Sequence, residues 1–144
     1  GYEKFPEKTL EKIVQAYKSR LKKLSDIKEL TDFFFADKLE YDKSLLRWQK
    51  MSDSEVKESL EYSKKKISEI KSLNLKDIGE KLLTETEKFN QEKDYPVKNR
   101  GYLLWPLRVA LSGKSASASP FEIAEILGKE KTLQRIQSAI DILT

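Results

Sequence analysis

Residues 107–120 read LRVALSGKSASASP, and the chain changes character twice within them. Ahead of Gly113, the apolar residues Tyr102, Leu103, Leu104, Trp105, Leu107, Val109, Ala110 and Leu111 fall in a helical pattern, and Gly113 suits a helix end. Beyond the small-residue run, Ser119-Pro120-Phe121-Glu122 spells a capping box with proline at the first helical position. The helix it opens stops at Gly128. Two helices joined by a linker with almost no side chain, apart from Lys114, set the character of the fold. Pro106 either starts the first of these helices or kinks it.

The same periodicity extends in both directions. Downstream, Leu133, Ile136, Ile140 and Leu143 mark a final helix. Upstream, Asn74 caps a helix carrying Leu75, Ile78, Leu82 and Phe89, and Ser52 with Glu55 forms a capping box ahead of Val56, Leu60, Ile67, Ile70 and Leu73. Residues 39–48, LEYDKSLLRW, read as a short helix. Ser25 is an N-cap for a helix carrying Ile27, Leu30, Phe33 and Phe34, and most of the Phe33-Phe34-Phe35 triplet belongs in a core. Residues 6–24 form one stripe of Leu10, Ile13, Val14, Tyr17, Leu21 and Leu24, with Arg20 at its border. No strand alternation competes. The polar stretch QEKDYPVKNRG, 91–101, reads as a boundary. The expected fold is all-α, a two-lobed helical cage of about seven to eight helices without a sheet, divided into 1–92 and 93–144.

Composition narrows the chemistry. Of 144 residues, 36% are charged and 38% hydrophobic, which suits helical units with wide solvated faces. No apolar run approaches the length of a membrane span, and GYEKFPEKTLEK has no signal-peptide core. Cysteine is absent, which excludes disulfides and thiolate metal sites and fits a reducing compartment. Histidine is absent too, which removes the commonest general base and metal ligand. There is no glycine-rich phosphate loop and no nucleophile elbow. No catalytic and no metal-binding residue is therefore assigned. Lys50-Met51-Ser52-Asp53-Ser54 looks like the KMSKS loop of class I aminoacyl-tRNA synthetases, but that loop works beside a histidine-containing signature, and a helix cap explains these serines better. The net charge of +4 divides into +4 for 1–24, −1 for 25–50, −2 for 51–92 and +3 for 93–144. Basic ends around an acidic middle suit a polyanion touched by both ends, or simple scatter in a lysine-rich chain.

PLRVALSG at 106–113, followed by a small-residue loop and PFEIAEILGKEKTLQRI at 120–136, resembles the C-terminal part of bacterial glutamyl-tRNA synthetases, and the likeness extends over nearly the whole chain. The resemblance implies an anticodon-binding domain, a helical cage that follows a catalytic domain. It implies tRNA-Glu as the partner, a cytoplasmic setting without membrane contact, and a monomeric fragment. The fragment carries no cofactor and is inactive alone, whereas the parent ligase uses ATP and magnesium. YKSRLKKLSDIKELTDFFF, 17–35, matches the family layout that puts a basic residue about a dozen positions before an aromatic cluster. By that match Arg20 reads the third anticodon base. Arginine there resembles the type that accepts glutamate tRNA and rejects glutamine tRNA, because guanidinium donors suit the O2 and N3 acceptors of cytosine. A surface arginine packed on Tyr17 is the structural alternative.

Ser117, Ala118, Ser119 and Pro120 match the family loop that meets the first two anticodon bases, although Thr-Pro-Gly-type residues are commoner there. Small side chains let backbone approach an unstacked base, and the helix beginning at Ser119 offers N–H groups and a positive dipole end. Arg108 and Lys114 flank the loop with positive charge. Arg108 is either a direct contact or a buried arginine that holds the loop. Trp105 either stacks on a base or belongs to the core. Two other readings stay open: the related helical domain of class I lysyl-tRNA synthetases, and a lysine-rich module that binds an acidic protein.

Overall fold

The computed structural model describes residues 11–13, 32–36, 38–71, 74–115 and 117–144. Among these, five full α-helices occur: α1 Asp53–Glu69, α2 Leu75–Lys93, α3 Gly101–Ser112, α4 Pro120–Leu127 and α5 Lys129–Leu143. Two 3-10 turns, Asp32–Phe35 and Lys43–Leu46, precede them, and residues 11–13 are helical. No strand occurs among the described residues, so the all-α expectation holds. The expected helix over 6–24 and the Ser25 cap fall almost entirely outside the described residues.

Helix starts follow the sequence closely. Ser52 Oγ accepts from the Glu55 N–H at 3.2 Å while Glu55 Oε1 accepts from the Ser52 N–H at 3.0 Å. The KMSDS serine at 52 is thus occupied as a cap. Asn74 Oδ1 accepts from the Asp77 N–H at 2.9 Å and opens α2. The apolar stripe of α1, Val56–Leu60–Ile67, is broken by two serines, Ser59 and Ser63, which are fully buried. Small side chains there let neighbouring helices approach, and α1 packs chiefly on α5 and α3. Leu46, Ile78, Leu82, Leu107, Leu111, Ile123 and Ile136 close one continuous core around it.

Pro106 lies inside α3 and does not start it. It has no N–H to give the Tyr102 carbonyl one turn earlier. Ser59 Oγ, from α1, donates to that carbonyl at 2.7 Å. The buried serine therefore replaces a helix bond that the proline removes.

Residues 39–48 differ from the expected helix. Asp42 caps a single 3-10 turn by accepting from the Ser44 N–H at 2.9 Å, and the chain is extended again at Arg47. The Leu45 carbonyl, which a continuing helix would use internally, accepts from Trp105 Nε1 at 3.0 Å instead. Trp48 then lies flat on Gly101, where a Cβ would overlap its indole, and its Nε1 donates to Asn99 Oδ1 at 3.1 Å. Tertiary partners outbid local helix formation over this segment.

The 94–100 connection is well tied down. α2 ends at Asp94 in the left-handed region, φ 58°. The buried Asn90 amide then reaches the carbonyls of Pro96, Val97 and Asn99 at 3.2, 3.0 and 2.9 Å. Where α2 faces α1, Glu85 is buried yet charged: Tyr62 Oη donates to it at 2.7 Å, with Lys66, Lys81 and Lys88 within 3.6 Å. Burial alone would raise its pKa, but the tyrosine hydroxyl and the three ammonium groups overcome that and hold it below the usual glutamate value.

Candidate nucleic-acid interface

α3 ends at Gly113, whose φ of 70° suits glycine, with the Gly113 N–H on the Val109 carbonyl at 2.7 Å. Buried Ser112 pins the turn that follows: its Oγ donates to the Arg108 carbonyl at 2.7 Å and accepts from the Lys114 N–H at 3.1 Å. Lys114 reaches across to Asp32 at 3.2 Å, its ammonium 6.0 Å from the centre of the Phe33 ring. A groove of about 450 Å³ runs between the 32–36 turn and this turn, lined by Asp32, Phe33, Lys38, Leu39, Gly113 and Lys114 among others.

The small-residue loop is partly a packing element. Ala118 is fully buried, backbone included, and Pro120 is buried too, so both pack into the domain and do not face solvent. Ser117 is half-buried and its Oγ donates to the Ala118 carbonyl at 2.8 Å. Ser119 caps α4 by accepting from the Glu122 N–H at 3.2 Å, and Glu122 returns the bond to the Ser119 N–H at 3.3 Å. Pro120 has no N–H, and the Ile123 N–H is taken by the Ser119 carbonyl. Of the first-turn donors only Phe121 N–H is left without a partner among the described residues, and the Glu122 carboxylate offsets the dipole end. This helix start is a weaker anion site than the sequence alone suggests.

The flanking residues separate in role. Arg108 is half-buried on α3, and its guanidinium makes no hydrogen bond or ion pair among the described residues. The loop-holding arginine is Arg135, which the sequence reading did not single out. Only 5% exposed, it donates through Nη1 to the Leu111 carbonyl at 2.6 Å and through Nη2 to the Phe33 and Ala36 carbonyls at 2.6 and 2.9 Å. It joins the end of α3 to the 32–36 turn. The signal was present: Arg135 sits one residue before Ile136 and four before Ala139, inside the apolar stripe of α5. Trp105 is half-buried, tied to the Leu45 carbonyl, with its ring 5.4 Å from that of Trp48. Arg20 lies outside the described residues.

The sequence model of the anticodon binding domain matches residues 2–140. The chain belongs to the anticodon-binding domain family. A glutamate–tRNA ligase of Clostridium acetobutylicum is 37% identical to this anticodon-binding domain over 137 residues, 93% of the chain and 27% of that protein. The glutamate–tRNA ligase of Flavobacterium johnsoniae is 32% identical over 133 residues, 92% of the chain and 24% of that protein. The domain thus spans about a quarter of the length of the curated relatives it matches. Its fold is also that of part of a glutamate tRNA ligase from Elizabethkingia meningosepticum, solved in complex with its amino acid. The TM-score is 0.76 and the identity 23%, over 97% of this chain and 26% of that one.

Proposed function

We propose that this domain is the anticodon-reading portion of a glutamate–tRNA ligase and that it binds the anticodon loop of tRNA-Glu. The observation that carries the proposal is the unpaired, half-buried guanidinium of Arg108, one helical turn ahead of a turn built from small residues, in a chain whose relatives are glutamate–tRNA ligases. An arginine partly withdrawn from water and given no protein acceptor is suited to a phosphate or a base edge supplied by RNA. Ser117 and Ser119 meet the first two anticodon bases, with Ala118 buried between them, Lys114 supplies charge to the backbone phosphates, and Arg20 reads the third base. Residues 1–92 and 93–144 act as the two lobes that supply Arg20 and the loop respectively. Trp105, half-buried and fixed by the Leu45 carbonyl, stacks on a base.

In this reading the parent enzyme attaches glutamate to the tRNA with ATP and magnesium, in the cytoplasm, through residues outside this chain. No group of acidic side chains among the described residues is arranged to hold a metal ion. The domain alone is monomeric and does not aminoacylate.

The test is titration of the 144-residue chain with anticodon stem-loops that differ only at the third anticodon base. The C-ending loop binds more tightly than the G-ending one, in a salt-sensitive manner. The Arg20→Gln substitution narrows that preference by roughly 1–3 kcal/mol, the range for a well-placed arginine–base contact. Equal affinity for the two loops, or a preference untouched by the substitution, refutes the reading role of Arg20.

A further inference from the structure

Arg135 is an unusual buried cation. Its bonded donors all go to neutral carbonyls, and no carboxylate pairs with it among the described residues. Its Nε–H is buried and has no acceptor among the described residues. A buried charge ordinarily finds a counter-ion, because desolvating it alone is costly. Burial lowers the guanidinium pKa to about 10, which registers that cost.

Arg135 lines a cleft of about 340 Å³ between α5, α3 and the segment after the 32–36 turn. Lys38 and Lys131 stand on the same walls, and Tyr41 projects its half-buried ring beside Arg135. Lys131 Nζ also reaches the Phe34 carbonyl at 3.2 Å. The acidic side chain on these walls, Asp141, is engaged by Gln137 Nε2 at 2.9 Å. Leu39, Ala110 and Ile142 supply an apolar side. A concave space of this size, apolar on one side and cationic on the other, is the usual form of a small-ligand site.

We propose that this cleft binds a small organic anion, a carboxylate or phosphate ester with an apolar body, whose oxyanion is held by the charge of Lys38 and Lys131 with the unpaired Arg135 guanidinium behind them. The apolar body lies against Leu39, Ala110 and Ile142. The apolar wall beside the cationic one suits a free small molecule whose hydrocarbon part adjoins its charge. The site goes beyond anticodon reading and does not depend on it. It shares Lys38 and Leu39 with the groove at Lys114, so an occupant would sit next to that groove.

The experiment is a chemical-shift titration of the isotope-labelled 144-residue chain with phenyl phosphate, benzoate and inorganic phosphate. Phenyl phosphate or benzoate gives saturable shifts centred on Ala110, Leu39 and Ile142. At least one of them binds about tenfold or more tightly than inorganic phosphate, as burial of a phenyl ring requires. Both Lys38→Glu and Ile142→Glu, changes to exposed side chains, weaken that binding by on the order of tenfold with an unchanged unfolding midpoint. Arg135 also carries structural bonds, so the two surface variants are the deciding ones. Shifts that never saturate, shifts centred elsewhere, inorganic phosphate binding as tightly as both aromatic probes, or affinity indifferent to both surface variants would each overturn the proposal.

Discussion

Replacing Ser59 with alanine tests whether a serine on one helix completes another helix interrupted by proline. Ser59 is fully buried, and its Oγ lies 2.7 Å from the Tyr102 carbonyl that Pro106 cannot serve. Removing the hydroxyl deprives a buried carbonyl of this donor, at a cost of about 1–3 kcal/mol. Restoring the missing helix N–H by Pro106→Ala gives the carbonyl a different donor. In that background Ser59→Ala should cost only about 0.5–1 kcal/mol, the net worth of an ordinary hydrogen bond. The double-mutant cycle read by urea unfolding of all four proteins, with comparable m-values, should therefore show a coupling of about 1 kcal/mol, above the few tenths expected of independent sites. Pro106→Ala alone carries its own packing loss, which cancels in the cycle. Equal costs of Ser59→Ala with and without the proline would refute the reasoning.

Four further outcomes follow from the structure. Gly101→Ala must displace the Trp48 indole and break its bond to Asn99, so it should destabilise by about 1–3 kcal/mol and shift tryptophan fluorescence in the native state. Glu85 has its carboxyl pKa held down in the folded state, so its contribution to stability is present above the unfolded value of about 4.5 and lost as pH falls through the lower folded value. Denaturant midpoints of Glu85→Gln measured between pH 7 and pH 3 should converge on those of the parent at the acid end; a constant gap would show that its charge is not what stabilises. Arg108→Ala should weaken stem-loop binding without moving the unfolding midpoint, since its side chain holds no other residue among those described; a lowered midpoint would make it structural. Lys114→Ala should weaken binding to all stem-loops alike and flatten the salt dependence, and a loss confined to one base would contradict a phosphate role.

The parts of the fold that were legible in the sequence are those governed by short-range chemistry. Both Ser-x-x-Glu boxes, the Asn74 cap, and the terminators Gly113 and Gly128 are decided within four residues, and all form as read. What escaped was decided by distant partners. The helix expected over 39–48 gave way because Trp105 and Gly101 compete for the Leu45 carbonyl and the Trp48 ring across more than fifty residues of chain. At the candidate interface, the positions of Arg108 and Lys114 along the chain were evident, but their bonding was not. Of the two duties open to Arg108, contact with RNA or holding the loop, the second is carried by Arg135 twenty-seven residues later, and the Arg108 guanidinium has no partner among the described residues. Only the burial pattern of α5 distinguishes them.

The Asn90 amide has a consequence for handling the protein. By composition, 94–100 is where a protease would be expected to nick the chain, with Lys98 and Arg100 both offered to trypsin. Yet cleavage demands that a strand-like stretch peel away into the enzyme's groove, and here three of the peptide oxygens between Pro96 and Asn99 are held by one side chain. Digestion there should be slow until that clasp lets go, so its rate would report on local opening of the α2–α3 corner rather than on how polar the segment looks.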